Sequence, residues 1–142
     1  MSSFTRRSID IETAIKAAQA AAAHAASLNL RMSIAVCDEA GILKHFHRMD
    51  GASQLSVSIS QDKAYTSAVT GMATHAWFEF IKNDPPLLHG IVHTPRLTVF
   101  GGGFPIREEG IVVGAIGLSG GHYSQDMDCA QQALVAIGAS VP

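Results

Sequence analysis

The stretch Ile111-Val112-Val113-Gly114-Ala115-Ile116-Gly117-Leu118 carries no polar side chain over its whole length. A strand with one face in water would alternate between apolar and polar residues, so this one is expected at the centre of a sheet, covered on both faces. Downstream, Ser119-Gly120-Gly121 leads to Ser124, which reads as the N-cap of a final helix to about Ile137, with Asp126 and Asp128 in its acidic first turn. Upstream, Phe104 to Arg107 forms a strand that returns through the turn Glu108-Glu109-Gly110, and Leu97 to Phe100 reads as a further strand entering Gly101-Gly102-Gly103.

Working further outward, Met32, Ile34 and Val36 alternate with Ser33, Ala35 and Cys37, and Asp38-Glu39-Ala40-Gly41 turns the chain into a second strand, Ile42 to Arg48. Asp10 is positioned to cap a first helix through about Leu28. Its recurring alanines let it approach a sheet closely. Ser53 or Ser56 caps a second helix to about Val69, and Thr74 a short third one that carries Trp77, Phe78, Phe80 and Ile81. Asn83-Asp84-Pro85-Pro86 ends that helix, and Leu87 to Arg96 reads as an irregular connector. The order α-β-β-α-α-β-β-β-α predicts an α+β domain spanning 1–142, with a five-stranded, mostly antiparallel sheet flanked by helices.

Composition narrows the function classes. The chain has 142 residues, 10 Lys+Arg, 12 Asp+Glu and a net charge of -2, so it lacks the basic footprint of a nucleic-acid binder. Hydrophobic residues make up 47% and charged residues 15%, with a mean hydropathy of +0.20, a charge-poor balance that predicts subunit burial in a homo-oligomer. The weakly polar run Ala14 to Leu30 is interrupted by Lys16, Gln19 and His24, so no membrane span is expected. The N-terminus does not read as a signal peptide, and Cys37 and Cys129 read as buried free thiols; both point to a cytoplasmic protein.

Several groups of residues bear on chemistry. His45 and His47 sit two apart on a strand and share a face, so they can offer two imidazoles to one metal ion, whereas His89 and His93 lie in a segment where a regular helix is not expected. The glycines Gly101 to Gly103 lead into a strand and do not open a helix, so no nucleotide cofactor is expected; they instead allow a flat ligand or a neighbouring subunit to approach the backbone. Gly120-Gly121-His122-Tyr123-Ser124 does open a helix, whose N–H groups suit a carboxylate. Arg48, Asp50 and Lys63 form a polar set that either binds a carboxylate-bearing small molecule or serves the fold. No Gly-x-Ser-x-Gly elbow supports a hydrolytic triad.

The segments Val36-Cys37-Asp38-Glu39-Ala40-Gly41, Arg48-Met49-Asp50-Gly51-Ala52, Gln61-Asp62-Lys63-Ala64-Tyr65-Thr66, Gly101-Gly102-Gly103-Phe104-Pro105-Ile106, Val113 to Gly121 and Gln125-Asp126-Met127-Asp128-Cys129-Ala130 together resemble the GlcG/HbpS-like family, also called the haem-degrading domain family, which includes the C-terminal domain of PduO. The resemblance runs in order along nearly the whole chain. It implies a profilin-like three-layer α-β-α sandwich, assembly as a dimer or higher oligomer up to an octamer, and, in some members, binding of haem or a related tetrapyrrole. On that reading Arg48 or Lys63 pairs with propionates, Gly101, Gly102, Gly103 and neighbouring Phe104 admit the ring, Gly121 and His122 contact the ligand, and His45, His47 or His122 ligates iron. Two alternatives stand beside it. One is an enzyme acting on a small oxygenated or carboxylated catabolic intermediate, with Lys63 as base or anchor and Asp50 or Asp62 orienting it. The other is a purely structural or chaperone-like assembly protein.

Overall fold

The computed structural model describes every residue from Met1 to Pro142. Helix α1 (Ile11–Ser27) starts where the Asp10 carboxylate accepts a hydrogen bond from Thr13 N, 2.7 Å away. Its inward residues, Ala14, Ala17, Ala18, Ala21 and Ala25, recur at helical spacing and make a smooth, fully buried stripe. Strands β1 (Ser33–Asp38) and β2 (Leu43–Arg48) form the expected hairpin. Helix α2 (Gln54–Thr70) follows, capped by the Ser53 side chain, which accepts from Ser56 N. Two short helices, α3 (Ala76–Ile81) and α4 (Pro85–Gly90), and a 3-10 turn at Ile91–His93 lead to strands β3 (Gly103–Glu108) and β4 (Ile111–Ser119), and α5 (Tyr123–Ala136) closes the chain.

The sheet runs β2-β1-β4-β3, with every neighbouring pair antiparallel. The apolar strand β4 is central, as its composition demands. One face of the sheet, carrying Met32, Ile34, Val36, Ile116 and Leu118, packs against α1 and α5 in the main core. The other face carries small residues, Ser33, Ala35, Cys37, Ala115, Gly117 and Ser119, beneath α2, where Ala64 and Ala68 pack, with Phe46 at its margin. Helices thus cover both faces, making three layers. Burial raises the Cys37 thiol to about 12 and the Cys129 thiol to about 11, which leaves both inert.

Some local expectations are corrected. The sheet has four strands, not five, because Leu97 to Phe100 does not join a ladder. Thr66 on α2 holds that segment instead: its hydroxyl donates to Arg96 O at 2.9 Å and accepts from Thr98 N at 3.0 Å. The Thr74 hydroxyl, expected to cap the third helix, accepts from Gly103 N at 2.9 Å and ties down the start of β3. The connector after Asn83 is partly helical, since Pro85 and Pro86 occupy first-turn positions and Asp84 caps them. The cap of α5 is His122, not Ser124; its ring nitrogen accepts from Ser124 N while Gln125 reaches back to the His122 amide.

The tightest contact in the fold is between α2 and β4. A Cβ on Gly117 would collide with Ser60 O and Ala64 N and would lie 3.0 Å from Lys63 Cβ. Two of those neighbours are helix backbone and cannot swing aside. Gly117→Ala is therefore expected to destabilise the protein toward the upper end of the ~1–3 kcal/mol typical of overpacking, a fall of roughly 5–10 °C in melting temperature. Gly90→Ala, with nothing within 4 Å, serves as the control and should melt at or above the parent temperature. Equal melting of both variants would contradict this packing.

Candidate functional site

Helix α2 is unusual in turning polar residues inward: Ser56, Ser60, Lys63 and Ser67, three or four apart, are all buried. Lys63 is 1% exposed. Its ammonium donates to Asp126 Oδ2 at 2.7 Å and to Leu118 O at 2.8 Å. Asp126, 2% exposed in the first turn of α5, uses its second oxygen to accept from Gly121 N at 3.1 Å. One charge pair thereby joins α2, the end of β4 and the start of α5. Burial pushes the Lys63 pKa down and the Asp126 pKa up, each opposed by the charge and hydrogen bond of the other. The Phe100 ring centroid lies 5.2 Å from the ammonium and closes one side. Gly102 completes the enclosure: at φ +122 its missing Cβ would stand 2.7 Å from Lys63 Nζ.

Above this pair opens a cavity of about 340 Å³, lined by Ser53 and Ser56 at the start of α2, by Ser119, Gly120, Gly121, His122 and Tyr123, and by Phe100. A second cavity of about 360 Å³ shares Phe100 and Tyr123 as its wall and continues past His75 and Phe78. The result is a groove with a polar floor, the Lys63–Asp126 pair, at one end and aromatic walls at the other. His122 engages Ser124 through Nδ1, with Ser124 Oγ at 2.8 Å, and its ring stacks at 4.1 Å on Tyr123. Its Nε2 has no protein partner.

Of the residues singled out from sequence, Lys63, Gly121 and His122 line the first cavity and Gly101 the second. Gly102 and Gly103 lie beneath, packed on Lys63. Phe104 is fully buried in the main core, beside His75 at 5.4 Å, and does not reach the groove. The partner of Lys63 is Asp126, in place of the expected Asp50 or Asp62. Asp50 is exposed in the turn after β2, and Asp62 pairs with Arg96 at 3.1 Å. Arg48 is exposed and reaches only Ala52 O at 3.4 Å, outside the groove. His45 and His47 do share a face, but the register pairs them with Val36 and Ile34, which puts them on the α1 side of the sheet and away from Lys63. No three His, Cys, Asp or Glu side chains converge as a metal site. Asp126, Ser119, Phe100 and Tyr123 are site residues that sequence reasoning missed; Asp126 read there only as a helix first-turn acid.

A buried ion pair is a poor source of stability, because desolvation of both charges offsets their attraction. Lys63→Met strands the Asp126 charge and should cost about 3–5 kcal/mol at neutral pH by denaturant titration. Since an acid with a raised pKa favours the fold below its ordinary range and loses that contribution as pH rises through the folded value, the deficit should shrink in acid and grow toward neutrality. The double variant Lys63→Met/Asp126→Leu should recover most of the loss. A double variant as unstable as the single one would show that the pair is itself a structural keystone.

Residues 9–135 match the family model described as "Haem degrading protein HbpS-like". An uncharacterized 15.0 kDa protein of the dhaT-dhaS intergenic region of Citrobacter freundii is 37% identical over 89% of each chain. Among solved structures, the Klebsiella pneumoniae protein ORFY superposes with a TM-score of 0.89 at 32% identity, covering 98% of this chain and 97% of that one. The PduOC:Heme complex superposes at 0.85 with 27% identity, covering 94% and 97%. From its motifs, its four-stranded helix-covered sheet and these matches, the chain belongs to the HbpS-like family.

Proposed function

We propose that this protein binds haem or a related tetrapyrrole in the groove over Lys63, with the ring against Phe100 and Tyr123 and His122 as the iron ligand. The observation that carries this reading is the close superposition on a relative solved as a haem complex, together with a groove whose residues fit the group. The aromatic walls suit a flat apolar ring, and the floor suits carboxylates. Ser124 holds His122 by Nδ1, through its amide at 3.3 Å and its hydroxyl at 2.8 Å, which fixes the ring and leaves Nε2 as the nitrogen free to ligate; on binding iron the ring takes the Nδ1–H tautomer and donates to Ser124 Oγ. Haem, when bound, supplies the redox-active iron. The protein's own contribution is ring burial, imidazole orientation and charge pairing at Lys63.

A second reading is favoured by the desolvation of Lys63: an enzyme acting on a small carboxylated intermediate, with the lysine as anchor or base and Asp126 as its orienting partner. Haemin titration separates the two. The first reading predicts a saturable Soret shift at micromolar haemin, and His122→Ala should move the band or weaken binding at least tenfold. No saturable shift would leave the enzyme reading in its place.

The same proposal includes self-assembly and a cytoplasmic home. Phe78, Phe80 and Val92 on α3 and the 3-10 turn are 50%, 64% and 74% exposed, an apolar surface that suits burial against a second copy in this charge-poor chain. The two buried, unpaired thiols suit a reducing compartment. Light scattering at micromolar concentration should give a dimer or larger species, and Phe80→Glu should lower the mass. A monomeric parent protein would overturn the assembly.

A further inference from the structure

We infer that the polar floor of the first cavity is a carboxylate subsite with Ser119 as its specificity-determining residue. This inference shares its cavity with the haem reading but needs no iron. Ser119, at the last position of β4, is only 9% exposed, and its hydroxyl has no hydrogen-bond partner in the protein although it lines the cavity. With no partner in the protein, that hydroxyl keeps its full hydrogen-bonding capacity for whatever enters the cavity, water or ligand. The register explains its aim: Ser119 stands opposite Ser33, whose hydroxyl already bonds Ser56 Oγ at 2.8 Å on the α2 side of the sheet. Ser119 points to the same side with nothing to meet.

Beside it, Lys63 has three N–H donors and spends two, on Leu118 O and Asp126. The third has no oxygen partner in the protein, and Lys63 lines the cavity with the Phe100 ring centroid 5.2 Å from its ammonium. Asp126 neutralises the lysine, so attraction for an anion must come from elsewhere. It comes from helix ends: the N-termini of α2, 17 residues, and α5, 14 residues, both open onto this cavity through Ser53 and His122. Each carries about half a positive charge. A carboxylate seated there accepts from Ser119 Oγ and the spare Lys63 proton, between two positive helix ends. A neutral group or a bulky polyanion gains less, because the floor offers few donors in a narrow space.

The carboxylate is either a free small acid or a propionate arm of haem, and the two sources are separable. Acetate is titrated into ¹⁵N-labelled protein against chloride at equal ionic strength, and haemin is compared with its dimethyl ester, which lacks free propionates. Saturable acetate-induced shifts at Gly120 to Tyr123 that Ser119→Ala weakens about tenfold establish the free-acid source. Haemin binding at least tenfold tighter than the ester, with the difference erased by Ser119→Ala, establishes the propionate source. Ser119→Ala should melt near the parent temperature, since the hydroxyl bonds nothing in the protein, and Ser119→Thr should retain binding. Haemin binding with no ester discrimination and no acetate response overturns the subsite while leaving the haem reading intact. Acetate binding without haemin binding does the reverse.

Discussion

Lys63 sits where a charge should not be, under a helix and against the end of a central strand, and the surroundings are arranged to tolerate it. Its ammonium needs oxygen within reach in a small space, and the Leu118 carbonyl and the Asp126 carboxylate supply it for two of its three donors. That requirement pulls α2 onto β4 closely enough that Gly117 cannot carry a side chain, and it fixes the first turn of α5 against the strand end. It also explains why the α2 face of the sheet is lined with alanine, serine and glycine while the opposite face holds the isoleucines and leucines of the main core. The bulky residues stabilise; the small ones make room for a site.

Electrostatically, the pair is costly to assemble and useful once assembled. Both groups are pulled toward neutrality by burial and held charged by each other, a balance that a bound anion or an iron-bearing ring would tip. Because Asp126 also holds the Gly121 amide, any shift in the pair reaches the loop that carries His122. Floor and rim of the groove are therefore coupled through one carboxylate.

Much of the fold is legible in local pattern. The alternation from Met32 to Cys37 sorts correctly onto the two faces, the unbroken apolar run from Ile111 marks the central strand, and Asp10 and Ser53 cap the helices they precede. Leu97 to Phe100 misleads because its residues suit a strand, while the partner that captures its backbone at Thr98 is a threonine hydroxyl 32 positions earlier. The site is less legible for the same reason. Asp50 and Asp62 are near Lys63 in sequence, but the carboxylate that reaches it lies 63 residues away. His45 and His47 do share a face; only the pairing register reveals that the face is turned from the groove.

On the proposed function, ligand binds at the sheet end above Lys63 and Asp126. Paramagnetic broadening of backbone amide signals on addition of haemin tests it most directly, because the iron marks its own position. Loss of signal is expected around Ser53 to Ser56, Phe100 to Gly102 and Ser119 to Tyr123, with the His45–His47 stretch of β2 untouched. Broadening centred on His45 and His47, or spread along α1, would contradict it.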